Sequence, residues 1–125
     1  MFAIKRYFGV VVALFLAFPA AAVELVMVEQ TGCEWCERWN EEIGVFYHKT
    51  AEGKYAPLRR VDLYAMPKDL KTKRRVIFTP TFLIVEDGQE LVRLEGYPGE
   101  DFFWPLLATM LKKFTNFSPD TAGNG

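Results

Sequence analysis

The chain has 125 residues, of which 50% are apolar and 25% charged, and its formal net charge is −1 at pH 7. This length allows one compact core and is too short for two. No basic patch indicates a nucleic-acid partner. The only cysteines, Cys33 and Cys36, stand three residues apart, whereas a disulfide framework would normally use more of them along the chain. The composition therefore predicts one domain with a redox-active cysteine pair.

The first 22 residues have the pattern of a secretory signal peptide. Lys5 and Arg6 precede an apolar run from Tyr7 to Phe18, and small residues up to Ala22 follow. The run is shorter than the roughly 20 residues that span a membrane. We expect cleavage after Ala22, which leaves a formal charge of about −3; an uncleaved anchor is the alternative. In either case the domain is exported.

The first half of the domain predicts a strand followed by a helix. Glu24 to Glu29 is a short, apolar, β-branched-rich run typical of a buried strand. After Cys33, apolar residues recur at the spacing of one buried helix face, namely Trp35, Trp39, Ile43 and Phe46. Gly53 and Pro57 interrupt this pattern. We therefore expect the cysteines to open a helix.

The second half predicts three strands and two helices. Leu58 to Tyr64 is expected to be a strand, and Pro67 is expected to start a short basic helix. Asp87-Gly88 predicts a tight hairpin turn between strands at Thr81–Glu86 and Glu90–Glu95. The last helix is expected from Glu100 to about Lys113, and residues 115–125 are expected to be disordered.

These elements predict an α/β fold in the order β-α-β-α-β-β-α, with a four-stranded mixed sheet and helices on both faces. The expected domain covers residues 23–114. Its predicted core includes Trp39, Ile43, Phe46, Leu83 and Val85.

The spacing Cys33-x-x-Cys36 at a helix start suits thiol-disulfide exchange. This chemistry needs an exposed, ionisable sulfur and a second sulfur close enough to resolve the mixed disulfide. Free amide N–H groups at the helix start favour a thiolate at Cys33, whereas Cys36 lies one turn further in. We therefore predict that Cys33 is the nucleophile and Cys36 the resolving cysteine.

The charges beside the cysteines predict a reductant. Glu34 and Glu37 oppose a thiolate, and Arg38 offsets them only in part. A less stabilised thiolate makes a stronger reductant, so we expect a potential nearer the about −270 mV of thioredoxin than the about −120 mV of strong periplasmic oxidants.

Two other interpretations of the pair are a static disulfide and a metal site. A static disulfide would close only a very short loop and restrict the unfolded chain little. A closed zinc or copper site needs about four ligands, and the pair with the lone His48 does not supply them. We expect no metal and no cofactor beyond the disulfide itself.

The motifs TGCEWC and TPTFLIVEDG, followed by Gly96, resemble the thioredoxin superfamily. More closely, ELVMVEQTGCEWCERW, APLRRVDL, FTPTF and EGYPGEDFFW resemble the small SoxS-type periplasmic thioredoxins found with bacterial sulfur-oxidation genes. The resemblance implies a thioredoxin fold that lacks the usual first strand and helix, and a cis peptide bond at Thr79–Pro80. Without the resemblance, Pro80 would be an ordinary strand-start proline.

The resemblance also implies a function. It implies reduction of a partner protein's oxidised or blocked cysteine in the periplasm, with the sulfur-carrier protein as partner and a membrane thiol transporter as electron donor. The expected substrate groove consists of Trp35, Thr79, Pro80, Gly96 and Tyr97. For Trp35, half-buried packing is the alternative.

Two departures from ordinary thioredoxin stand near the cysteines. Met27 occupies the position of a buried aspartate that assists the resolving cysteine, and Glu29 should point elsewhere because side chains alternate along a strand. Gly32 replaces the usual tryptophan. A disulfide oxidant or isomerase, and a non-catalytic metal- or partner-binding module, remain the competing functions. We expect a monomer.

Overall fold

A computed structural model describes residues 9–13 and 22–122. The predicted signal peptide falls mostly on residues outside these ranges. Within them, no helix is both long enough and apolar enough to cross a membrane. The four strands are β1 Val23–Glu29, β2 Leu58–Asp62, β3 Thr81–Glu86 and β4 Gln89–Glu95, and the α-helices are α1 Glu34–Trp39, α2 Ala51–Tyr55, α3 Glu100–Phe114 and α4 Pro119–Ala122.

The strands form one mixed sheet in the order β2-β1-β3-β4. β1 pairs parallel with β2, whereas the β1–β3 and β3–β4 pairs are antiparallel. β1 lies inside the sheet, and both of its faces are covered: Leu25 and Met27 belong to one buried cluster, Val26 and Val28 to another. This is why β1 has a continuous apolar run rather than an alternating one.

Helices cover the face of the sheet that carries Leu25 and Met27, where they pack around the buried ring of Trp39. This ring lies 5.3 Å from Phe82 and 5.8 Å from Phe103, measured between ring centroids. α3 contributes Phe103, Leu107 and Leu111 at steps of four, the spacing of one helix face. The predicted α/β fold with a four-stranded mixed sheet is therefore confirmed.

The helix after the cysteines changes its geometry, and one predicted core residue is wrong. α1 passes into a π-helical turn at Asn40–Gly44 and then a 3₁₀ turn at Tyr47–Lys49. Because a π turn contains more residues than an α turn, the buried face moves from Phe46 to Tyr47. Phe46 is exposed, whereas Tyr47 is buried and its hydroxyl donates to the Ala56 carbonyl at 2.6 Å.

Gly53 lies inside α2 rather than interrupting a helical segment. Thr50 caps this helix by accepting a hydrogen bond from the Gly53 N–H at 3.0 Å. A Cβ atom at Gly53 would lie 1.8 Å from the Tyr47 carbonyl oxygen. The glycine is therefore needed for close backbone approach.

The helix predicted at Pro67 does not form. Residues 63–80 cross the face of the sheet that carries Val26 and Val28, and they form no helix there. Leu70 and Val76 are buried against strand residues on this face. The backbone of residues 63–80 pairs with the hairpin of β3 and β4 instead. The Lys71 N–H donates to the Gly88 carbonyl at 2.7 Å, and the Glu90 N–H donates to the Lys71 carbonyl at 3.0 Å. Hydrogen bonds to the hairpin thus replace those of the predicted helix. The expected helices on both faces are therefore not found: within the described residues, the helices lie on the face that carries Leu25 and Met27.

A buried ion pair on β4 holds residues 63–80, the segment that crosses the sheet, through hydrogen bonds to its backbone. Arg93 donates to both carboxylate oxygens of Glu90, at 2.6 and 2.9 Å, and to the Arg74 carbonyl at 2.7 Å. Glu90 also accepts from the Lys73 N–H at 3.0 Å. The pair therefore joins β4 to the segment that leads into Thr79 and Pro80.

The predicted turn between β3 and β4 is present, with positive φ at Asp87 and Gly88, as a tight hairpin requires.

Beyond α3, Phe117 is buried and its ring centroid lies 5.2 Å from that of Tyr55. The Phe117 ring thus contacts α2; of the tail predicted to be disordered, residues 123–125 lie outside the described ranges.

Candidate active site

A tight turn carries the chain from β1 to the first cysteine. The Cys33 N–H donates to the Gln30 carbonyl at 3.3 Å, and Gly32 has a φ of +79°. Glycine adopts this left-handed conformation without the steric cost that a side chain adds. A glycine therefore suits this position, where ordinary thioredoxins have a tryptophan, because the turn has a positive φ here.

Cys33 and Cys36 form a disulfide with their Cα atoms 5.2 Å apart. Cys33 is the N-cap of α1, and its Sγ accepts a hydrogen bond from the Cys36 N–H at 3.1 Å. Cys33 is 9% exposed and Cys36 is 3% exposed. The two sulfurs therefore differ in access, and the more accessible one already receives an amide donor.

The charged residues around the disulfide are mostly acidic. Glu34 and Glu37 are exposed, and neither has a salt-bridge partner among the described residues. Arg38 instead pairs with Glu42 at 2.8 Å and lies over the Trp35 ring, 5.4 Å from its centroid. Arg38 thus already pairs with a carboxylate other than the two glutamates beside the cysteines.

Hydrogen bonds connect part of the predicted groove to the cysteine turn. The Gln30 side chain donates to the Thr79 hydroxyl at 2.7 Å, and the Gly96 N–H donates to the Pro80 carbonyl at 2.7 Å. The Thr79–Pro80 peptide bond is cis, as the resemblance implied. Gln30 was not predicted, and only its place directly before the TGC turn could have indicated it.

The other two predicted groove residues differ in exposure. Tyr97 is buried against Phe103, and burial together with the negative charges of Glu42 and Glu100 raises the pKa of Tyr97 to about 12. Little of the Tyr97 side chain is therefore accessible to a partner. Trp35 is 52% exposed, and the Arg38 guanidinium lies over its ring, so both of its interpretations stay open.

A polar cleft opens beside both cysteines. Besides Cys33 and Cys36, its lining includes Glu29, Asn40 and Asp62, and none of the five predicted groove residues. Asp62 and Glu29 are paired positions of the parallel strands β2 and β1. Sequence reasoning missed Asn40 and Asp62; the signal for Asn40 was a polar residue four positions after Cys36.

Met27 is fully buried at the position where the resemblance implied a buried aspartate. Arg60 extends across this region, with one guanidinium nitrogen 3.6 Å from Met27 Sδ and 2.9 Å from a Glu29 carboxylate oxygen. Glu29, two residues further along β1, lies on the same face as Met27, because alternate side chains of a strand share a face. The expectation that Glu29 points elsewhere is therefore wrong. Across residues 9–13 and 22–122, no group of three or more His, Cys, Asp or Glu side chains could hold a metal ion.

The fold and this site together define a thioredoxin-like thiol-disulfide oxidoreductase: a helix-opening Cys-x-x-Cys disulfide beside a cis-proline loop on a mixed sheet. No protein-family model and no curated protein matches the chain. A solved structure does match, that of the periplasmic thioredoxin SoxS from Paracoccus pantotrophus in its reduced form, with 47% sequence identity and a TM-score of 0.70. The match covers 73% of this chain and 97% of that one. The chain belongs to the SoxS-type thioredoxins.

Proposed function

We propose that this protein is a periplasmic thiol reductant in which Cys33 attacks and Cys36 resolves. The observation that carries the roles of the two cysteines is the asymmetry of the disulfide. Cys33 is the more exposed sulfur and accepts the Cys36 N–H at 3.1 Å, and such a donor stabilises a thiolate. The described location of the SoxS relative supports a periplasmic site of action.

The exchange takes two steps. The Cys33 thiolate attacks one sulfur of the partner's disulfide or adduct, and the other sulfur leaves and takes up a proton. The Cys36 thiol then loses its proton to water, its thiolate attacks Cys33 Sγ, and the partner leaves as a thiol. Two electrons pass to the partner, and a membrane thiol transporter returns two electrons to the pair.

The direction of transfer follows from charge. Glu34 and Glu37 are exposed next to the disulfide, whereas Arg38 is engaged with Glu42. Unpaired carboxylates disfavour a thiolate at Cys33, which favours the disulfide and makes the dithiol more reducing. We expect the double variant Glu34→Gln, Glu37→Gln to raise the potential, with Glu41→Gln, one turn further along, as the matched control.

The proposed partner is the sulfur-carrier protein of sulfur oxidation, with a blocked or oxidised cysteine. This rests on the similarity to SoxS. The partner's extended segment would lie along Thr79 and Pro80, beside Trp35, Gly96 and Tyr97. The monomeric domain would extend from Val23, after cleavage of the signal peptide at Ala22, to at least Phe117, which is buried in the core.

The deciding measurement is the redox potential of the Cys33/Cys36 couple in dithiothreitol or glutathione buffers, with the thiols alkylated and counted. A value below about −250 mV supports the reductant. A value above about −180 mV would instead mean an oxidant or isomerase.

Trapping tests the protein partner. Cys36→Ser should leave Cys33 attached to its substrate, because the resolving sulfur is gone. Cys33→Ser is the control and should trap none. If Cys33→Ser kept full biological activity, the non-catalytic binding module would replace the reductase.

A further inference from the structure

Asn40 is a polar residue one helical turn after Cys36, on the same side of the helix. Its backbone N–H donates to the Cys36 carbonyl, and both residues line the polar cleft. The Asn40 Oδ1 atom is buried, and no donor in the described part of the chain reaches it. A buried acceptor without a donor bears the cost of its lost hydration. The oxidised protein thus keeps an unused acceptor on a residue that lines the same cleft as its less exposed cysteine.

Reduction creates a donor at the same place. Two electrons and two protons convert the disulfide into two thiols, and the Cys36 S–H becomes a hydrogen-bond donor. Cys36 is 3% exposed and belongs to the apolar cluster with Trp39 and Ile43, whose side chains offer no acceptor. The two carboxylates that line the cleft already have donors: Glu29 accepts from Arg60 at 2.9 Å, and Asp62 accepts from the Tyr64 N–H at 2.8 Å. Met27 is a weak acceptor at best, and its sulfur already has an Arg60 nitrogen at 3.6 Å.

We propose that Asn40 Oδ1 accepts the hydrogen bond of the Cys36 thiol in the reduced protein and thereby stabilises the dithiol relative to the disulfide. The inference rests on the proposed function in one respect, that Cys33 and Cys36 cycle between these two states. Asn40 then acts against Glu34 and Glu37: the glutamates make the couple more reducing, and Asn40 makes it less so. It also holds the Cys36 proton on the cleft side, where water can take it during resolution.

The test is the redox equilibrium of the wild type, Asn40→Ala and Asn40→Leu against dithiothreitol. Both substitutions remove the acceptor, and they differ in size. We expect both to lower the equilibrium constant for reduction about fivefold, which is about 20 mV at 29.6 mV per tenfold change. Asn116→Ala, at an exposed asparagine, is the matched control and should leave the constant unchanged. Any other pattern, including a shift of less than twofold or a shift in one variant only, overturns the inference.

Unfolding of both redox forms separates this role from a purely structural one. Asn40→Ala should destabilise the reduced protein more than the oxidised one, because only the reduced form uses the acceptor. Equal losses in the two forms would refute the proposal even if both variants were poorly stable. A wild-type potential above about −180 mV would remove the reductase proposal but leave the difference between wild type and variants intact.

Discussion

The Glu90–Arg93 pair offers a quantitative test of how the active-site segment is held. The side chains of Glu90 and Arg93 are 1% and 5% exposed. Glu90→Ala would remove both carboxylate contacts to Arg93 and the acceptor of the Lys73 N–H. Arg93 would then be a buried cation whose remaining carboxylate, on the partly exposed Glu95, lies 3.7 Å away without replacing the lost contacts.

Breaking a buried pair from one side costs about 3–5 kcal/mol, because the remaining charge stays desolvated. The same crossing segment supplies a matched control. Asp69 makes two hydrogen bonds to Arg59, at 2.7 and 2.9 Å, but its side chain is 61% exposed. Asp69→Ala should therefore cost much less stability than Glu90→Ala, because solvent screens an exposed pair. The two variants thus compare a carboxylate–guanidinium pair that is buried with one that is exposed to solvent.

The assay is denaturant unfolding of the oxidised protein, with the free energy extrapolated to water. The double variant Glu90→Met, Arg93→Met should lose less stability than Glu90→Ala, because it leaves no buried charge. Equal losses for Glu90→Ala and Asp69→Ala, or a double variant worse than the single one, would refute this reasoning.

Two further predictions concern acid stability and backbone packing. Burial opposes ionisation of Glu90, but hydrogen bonds from Arg93 and the Lys73 N–H outweigh it and hold the pKa of Glu90 below its ordinary 4.5. Stability from the ionised carboxylate is therefore lost as the pH falls through this lowered pKa, so wild-type stability should fall more steeply below about pH 4.5 than that of Glu90→Gln; parallel profiles would contradict this. Gly53→Ala should cost about 3 kcal/mol or more because its Cβ would meet the Tyr47 carbonyl oxygen at 1.8 Å, measured by thermal unfolding beside the exposed control Lys54→Ala, which should stay within about 0.5 kcal/mol.

Local patterns predicted the parts of the site that depend on neighbouring residues. The buried run before Cys33 is β1, the Asp87-Gly88 pair is the hairpin turn, and the acidic start of α3 lies at Glu100. Each signal comes from turn chemistry or from burial on two faces, which a few adjacent residues encode. The cysteine spacing likewise needed only one helical turn.

The errors share a physical cause, since each concerns residues whose backbone or side chain is held by distant parts of the chain. The segment after Pro67 pairs with the hairpin rather than with itself. Tyr47 replaces Phe46 in the core because the π turn shifts the helix face.

The sequence by itself determined the chemistry: two cysteines one turn apart, acidic neighbours and a proline before a buried strand. Only the tertiary structure decided the environment of that chemistry. It brings Asp62 of β2 into the cleft beside Cys36, joins Gln30 to Thr79, and leaves the Asn40 oxygen without a donor. Such groups affect a sulfur through distance and desolvation, and both depend on packing between elements far apart in the chain.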